Sequence, residues 1–241
     1  VRSRRQRQMC IRDRFIGWNI GSNAPLKKMK PEPLDPQLML SAYARGIFPM
    51  AEKATDPELF WVDPNMRGVF PMDTFYLSRS MRRFLRGNEI KTSLNTEFET
   101  VLFHCSNRSE TWINPTLKSF YKELHSLERC HSLEVWQNDE LVGGIFGLTI
   151  GGAFFGESMF SLKKNGSKTA VITLRLHLQN CGFKLFDTQF ITDHLKSLGA
   201  IEISKSSYRN QLAKAVNLAV SIKSQPLPNI QGILQRNTQT S

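Results

Sequence analysis

Polar and apolar positions change period along the chain, and each change marks an element. Between 35 and 45, Leu38, Met39, Ala42 and Tyr43 form an apolar stripe at helical spacing, with Asp35 as N-cap, Pro36 at the first helical position and Gly46 as the stop. Residues 47–64 are aromatic-rich but lack a period, which predicts an irregular stretch. The segment 78–87 carries Arg79, Arg82, Arg83 and Arg86 at helical spacing, and 98–105 and 115–127 read as amphipathic helices. The second half is more regular. Residues 131–137 alternate as a strand, Asn138-Asp139 makes a turn, and 140–150 forms the next strand. Gly151-Gly152 is a two-residue hairpin signal of the primed type, leading into a strand over 153–160. A helix follows over 167–180, with Ala170, Val171, Leu174 and Leu178 on one face and Gly182 as its stop. Then come a strand over 183–187, a helix over 190–198 ended by Gly199, a strand over 200–203 and a helix over 207–220. From Gln225 the chain is polar with two prolines, which reads as a loose tail.

A strand meander followed by helix, strand, helix, strand is an α+β order. It implies a mixed, largely antiparallel sheet flanked by helices and resembles the GNAT-type acyltransferase fold. In that fold a helix N-terminus follows the central strand and aims free N–H groups at a phosphate; here it falls at residues 163–168. The expected division is a tail at 1–28, a small N-terminal domain at 29–75, a catalytic acyltransferase-like domain at 76–222 and a polar C-terminal tail at 223–241. With 241 residues, 40% hydrophobic and 22% charged, the chain can bury a full core. Its longest apolar stretch, 141–160, is interrupted by six glycines, which is sheet chemistry and excludes a membrane-spanning helix there.

The net charge of +11 is unevenly placed: residues 1–28 hold eight Lys or Arg against Asp13 alone, and the remainder is only mildly basic. That first segment has no apolar period, no h-region and no cleavage site. It reads as translated non-coding sequence or a cloning addition, with a true start at Met29. Cys10, Cys105, Cys130 and Cys181 are far apart with no C-x-x-C, which points to reduced thiols in a cytoplasm. In His104-Cys105 and Cys130-His131, neighbours on a strand would face opposite ways, so no metal site is expected.

Familiar catalytic motifs fail. Gly156-Glu-Ser-Met-Phe160 resembles a nucleophile elbow but ends in Phe, and Gly166-Ser-Lys-Thr169 lacks the spacing of a P-loop. Lys163-Lys-Asn-Gly166-Ser-Lys168 approaches an acetyl-CoA pyrophosphate loop, but both ends are wrong. Three polar side chains stand in apolar surroundings: Glu157, and Asp187 with Gln189, which share one face of an extended segment at a strand's carboxyl end. They serve a ligand crevice, or Asp187 caps the next helix and Glu157 pairs with a nearby Lys or Arg. Trp112 either stacks on a base or packs in the core. The arginine stripe either meets phosphates or is simply solvated.

Taken in order, several segments are similar to the leucyl/phenylalanyl-tRNA–protein transferase family. They are Tyr43-Ala-Arg-Gly-Ile-Phe-Pro49, Phe60-Trp-Val-Asp-Pro64, Ser78-Arg-Ser-Met-Arg-Arg-Phe84, Glu110-Thr-Trp-Ile113, His131-Ser-Leu-Glu-Val-Trp136, Leu141-Val-Gly-Gly144, Gly156-Glu-Ser-Met-Phe-Ser161, Ser167-Lys-Thr169, Asp187-Thr-Gln189 and 194–200. The likeness runs from about Leu34 to Tyr208. It implies a cytoplasmic, monomeric enzyme of the N-degron pathway that needs no cofactor and no membrane. Such an enzyme moves Leu or Phe, and Met less well, from its tRNA to a protein N-terminus bearing Arg or Lys. By the same resemblance Asp187 orients Gln189, which helps deprotonate the attacking amine, and Glu157 lies at the substrate site. Trp112 meets the terminal adenosine, and Tyr43, Tyr121 and Ser167 line the substrate. Ile145, Met159, Val171 and Leu174 form the apolar amino-acid pocket, and Arg79, Arg82, Arg83 and Lys168 meet tRNA. Met50 departs from the Trp that many members carry after Phe-Pro. The rivals are an acetyl-CoA-dependent acetyltransferase of the same fold and a non-enzymatic RNA-binding module.

Overall fold

The computed structural model describes residues 28–29 (backbone only), 35–108 and 111–236. Apart from Lys28, the expected tail at 1–28 lies outside them. In chain order the elements are β1 (Lys28–Met29), α1 (Pro36–Tyr43), β2 (Phe48–Met50), β3 (Leu59–Val62), β4 (Met66–Phe70), α2 (Arg79–Arg86), β5 (Ile90–Leu94), α3 (Phe98–Ser106) and α4 (Pro115–Ser126). They continue with β6 (Cys130–Gln137), β7 (Glu140–Ile150), β8 (Ala153–Ser161), α5 (Gly166–Asn180), β9 (Leu185–Gln189), α6 (Asp193–Lys196), β10 (Ile201–Ser204), α7 (Lys205–Ala215) and α8 (Ile230–Arg236).

Local chemistry explains the boundaries. The Asp35 side chain accepts from the Gln37 N–H to cap α1, and Gly46 ends that turn at φ +83°. Asn138 and Asp139 both take positive φ, 53° and 60°, as a primed turn between β6 and β7 requires. The Gly151-Gly152 turn closes the β7–β8 hairpin, with Ile150 paired to Ala153.

A seven-stranded sheet runs β10-β4-β9-β8-β7-β6-β5 and a three-stranded one β1-β3-β2. Every pair in the large sheet is antiparallel except β8 with β9. The fold is thus α+β with a mixed, largely antiparallel sheet between two helical layers. One core joins α1, α3, α4 and α7 to Val69, Phe146, Leu148, Phe155, Phe160 and Leu185. The other joins α2, α5, α6 and α8 to Phe70, Ile145, Phe154, Met159 and Phe186 on the opposite sheet face.

Several expectations are corrected. The stretch 47–64 holds the strands β2 and β3. The segment 66–70, placed with the small N-terminal domain, is a strand of the large sheet, so the sheets divide between Val62 and Met66 and not at 75. The 183–187 strand begins and ends two residues later, and the 190–198 helix shrinks to α6. The 207–220 helix starts at Lys205 and stops at Ala215. The C-terminal segment is not a loose tail throughout: Asn229 accepts from the Gly232 N–H, α8 follows, and Ile233 is buried.

Candidate active site

The site grows from an irregularity in the sheet. β8 and β9 pair only over Ala153–Phe155 with Leu185–Asp187. Beyond that point β8 continues with β7 and β9 with β4, so two parallel neighbours part. Both bulge at this level. Gly147 pairs with Gly156 and Phe146 with Ser158, leaving Glu157 as the extra residue on β8. Gly68 pairs with Gln189 and Val69 with Asp187, leaving Thr188 extra on β9. Bulges re-aim side chains. Phe155 and Phe160 belong to one core while Phe154 and Met159 belong to the other, so the β8 bulge turns Glu157 toward α1 and α4.

Glu157 is fully buried and is held by donors. Tyr43 Oη donates to its Oε1 at 2.9 Å, Tyr121 Oη to its Oε2 at 2.6 Å, and Gln189 Nε2 to Oε1 at 3.0 Å. The Trp112 ring meets Tyr121 edge-on with centroids 6.3 Å apart. Asp187, also fully buried, is bound through both oxygens. Oδ1 accepts from Arg67 Nε at 2.9 Å and from the Gln189 N–H at 2.7 Å; Oδ2 accepts from Arg67 Nη2 at 2.6 Å and Tyr208 Oη at 2.7 Å. Gln189 takes φ +65°, a left-handed conformation that glutamine rarely adopts. Burial works against the Arg67 charge, but the charges of Asp187 and Tyr208 and the bond to Asp187 outweigh it and hold the guanidinium above its usual range. Burial, then the Asp187 charge, push the Tyr208 phenol well up.

One alternative left open by the residues, the cap of α6, is decided. Thr192, not Asp187, caps α6, and the hydroxyls of Tyr43 and Tyr121 and the Gln189 amide donate to Glu157. Glu157, Gln189, Asp187, Tyr43, Tyr121 and Trp112 come together. Ile145 and Met159, paired across β7 and β8, lie with Val171 and Leu174 of α5 in the core of the other sheet face. Ser167 is buried in the first turn of α5, where its N–H donates to Ser161 Oγ. Lys168 is half-buried nearby; burial and then its charge lower His194 to about 4. Arg79, Arg82 and Arg83 line a separate surface concavity with Arg86. Met50 is buried in the core beside α1.

Two contributors, Arg67 buried and Arg108 half-buried, escape the sequence reading. Arg67 is 1% exposed, and Arg108 donates to Ser158 Oγ at 3.1 Å and to the Met159 carbonyl at 2.7 Å. A signal for Arg67 does exist: a cation alternating with Val69 ahead of Phe70 sits on a strand's inward face. Among the described residues no three His, Cys, Asp or Glu gather as metal ligands, and no helix is long and apolar enough to cross a membrane.

Comparison with known proteins decides the family. The model of the leucyl/phenylalanyl-tRNA protein transferase matches residues 69–213, and that of its N-terminal domain matches 32–65. The chain belongs to this family. It is 50% identical over 208 residues to the leucyl/phenylalanyl-tRNA–protein transferase of Ruegeria pomeroyi, covering 86% of this chain and 99% of the relative. The Cereibacter sphaeroides member is 49% identical over 214 residues, covering 88% of this chain and 100% of the relative. Among solved structures, that of L-PGS from Bacillus licheniformis aligns at 13% identity and TM-score 0.38, over 70% of this chain and 57% of that chain.

Proposed function

We infer that this chain is an aminoacyltransferase that moves an aminoacyl group from tRNA to the N-terminal amine of a protein, as its membership of the family implies. We propose the finer specificity as well: Leu and Phe as donors, Met less well, and acceptors beginning with Arg or Lys, marked thereby for N-degron proteolysis in the cytoplasm. The observation that carries the reading is the Glu157–Gln189 pair at the point where β8 and β9 separate, ringed by Tyr43, Tyr121 and Trp112.

The chemistry needs little beyond placement. The amine nitrogen bonds to the ester carbonyl carbon, and the bond from that carbon to the tRNA terminal oxygen breaks. The amine gives up a proton and the departing hydroxyl takes one. The ester already carries the driving force, so no nucleotide is consumed. A free α-amine has a pKa of about 7.7–8.0, so part of it is neutral near pH 7 and orientation supplies much of the rate. With Nε2 turned to Glu157, Gln189 presents Oε1 as the acceptor for an amine N–H. Glu157 sets that polarity and Asp187 holds the backbone beneath it. Trp112 is buried against Tyr121, so stacking the terminal adenosine on it displaces what covers its ring. The apolar set Ile145, Met159, Val171 and Leu174 takes the aminoacyl side chain; all are buried, so admitting it displaces what covers them. Arg79, Arg82, Arg83 and Lys168 hold the tRNA backbone.

The test is transfer of labelled Leu or Phe from charged tRNA to a peptide beginning with Arg, with acetyl-CoA in the control arm. Transfer that depends on charged tRNA supports the reading; acetylation without tRNA refutes it.

A further inference from the structure

Arg67 occupies a position that the proposed chemistry does not use. Its guanidinium is buried, lies 4.6 Å from the Phe48 ring centre and 4.4 Å from that of Tyr208, and makes a forked bond to Asp187 through Nε and Nη2. Its third nitrogen, Nη1, donates to the Gly46 carbonyl at 3.0 Å. Gly46 closes the turn that ends α1, and Tyr43 in the last turn of α1 donates to Glu157. On the other side, Asp187 holds the Gln189 N–H at 2.7 Å, and Gln189 donates to the same Glu157 oxygen as Tyr43.

Two chains of contact therefore leave one guanidinium and meet at one carboxylate. The first runs through Asp187 and Gln189. The second runs through Gly46, α1 and Tyr43. Displacing Arg67 shifts Tyr43 and Gln189, which both donate to Glu157 Oε1, at once. It also releases the clamp that keeps Gln189 in a left-handed conformation that non-glycine residues avoid. We propose that Arg67 is a positioning residue for the transfer reaction, fixing the Gln189 amide relative to Glu157 by tying the N-terminal helix to the catalytic strands. It touches neither substrate. A lysine cannot replace it, because a point charge offers no fork to Asp187 and no fixed third donor for Gly46. Tyr208 supports the same carboxylate from α7 with one hydroxyl.

This inference rests on the proposed function, and its test separates the two. The full chain is assayed with phenylalanyl-tRNA and an Arg-ended peptide as wild type, Arg67→Lys, Arg67→Ala and Tyr208→Phe. Rates are normalised to the folded fraction from cooperative thermal melts. Arg67→Lys is expected to lower kcat at least thirtyfold and Tyr208→Phe about tenfold, with KM for both substrates within threefold of wild type. Methylguanidinium, which fills the space between two rings left by Arg67→Ala, is expected to raise that variant's kcat at least fivefold without moving its melting temperature. A purely structural role would not give that rescue. A folded Arg67→Lys with wild-type kcat, or a loss confined to KM, overturns the proposal. Should the Arg67 variants not fold, Tyr208→Phe decides, since it removes one hydroxyl and no volume: wild-type kcat there overturns the proposal too. An inactive wild type would overturn the proposed function and this inference with it, whereas an active wild type with unaffected variants overturns this inference alone.

Discussion

Gln189 should be one of the few positions where glycine is more stabilising than alanine. Its φ of +65° lies in the left-handed region, which costs a residue bearing a Cβ roughly 1–2 kcal/mol. Both Gln189→Gly and Gln189→Ala delete the 3.0 Å bond to Glu157, so the loss of that bond cancels between them. They differ in two ways. Alanine retains the steric cost of the left-handed conformation. Glycine leaves the unfolded chain freer, which costs it roughly 0.4–1 kcal/mol. The balance favours glycine by about 1 kcal/mol, the reverse of the usual order within a strand or helix. For a protein of this size that is a difference of roughly 2–4 °C in melting temperature. Urea unfolding of the two variants side by side measures it. Both variants should also be inactive to the same degree, within about threefold, because in the proposed reaction the side chain and not the backbone strain meets the amine. An alanine variant as stable as the glycine variant would refute the idea that Asp187 holds Gln189 against its conformational preference.

Three further outcomes are expected. Tyr121→Phe removes the 2.6 Å donor to a fully buried carboxylate, so urea unfolding should show a loss of roughly 1.5–3 kcal/mol and kcat should fall about tenfold, with tRNA affinity unchanged. Arg82→Ala should flatten the logarithmic dependence of tRNA binding on salt by about one, the share of one phosphate contact; an unchanged slope would remove α2 from the tRNA surface. His131 is lowered to about 4, by burial first and then by the charges of His125 and Lys223. Its unfolded form binds a proton more readily, so stability is complete above about pH 6.5 and is lost as pH falls toward 4, by up to about 3 kcal/mol. His194, also lowered to about 4, adds a loss of similar size, so His131→Gln should remove about half of what these two histidines contribute together.

What can be read in the sequence depends on length and contrast. The turns at Asn138-Asp139 and Gly151-Gly152 and the long strands between them have enough residues to show a period, and so does α5. β2 has three residues, all buried, so no alternation exists to be seen, and Pro49 argues against a strand. The proline is tolerated because β2 is an edge of the small sheet. β5 is hidden for a related reason: it is a five-residue edge strand whose burial does not alternate. In α8 the cap Asn229 and the spacing of Ile230, Ile233 and Leu234 are visible, but two prolines just before them suggest a tail. Glu157, Asp187 and Gln189 stand out because a polar group in an apolar run must find partners. The side to which Glu157 turns is not legible. Strict alternation places Glu157 and Met159 on one face, and only the bulge on β8, a property of pairing with β7, separates them.

The arrangement also bears on how the two acids would divide the proposed work. The bond that joins Asp187 to Gln189 is made to the backbone N–H, and both Asp187 oxygens are engaged further by Arg67 and Tyr208. The Gln189 side-chain amide donates to Glu157. Carboxylate oxygens accept, so Glu157 orders the two tyrosine hydroxyls and the amide NH₂ toward itself and leaves Oε1 as the opposite pole of Gln189. The two acids thus have separate roles. Asp187 fixes where the residue sits, and Glu157 fixes which way its amide points. The residue that joins these two roles, Arg67, falls in the short gap between the segments matched by the two family models, 32–65 and 69–213. Its partners come from both sides of that gap, Gly46 and Phe48 before it and Asp187 and Tyr208 after it. The N-terminal segment is therefore a structural part of the candidate site, supplying Tyr43 directly and holding Arg67 in place.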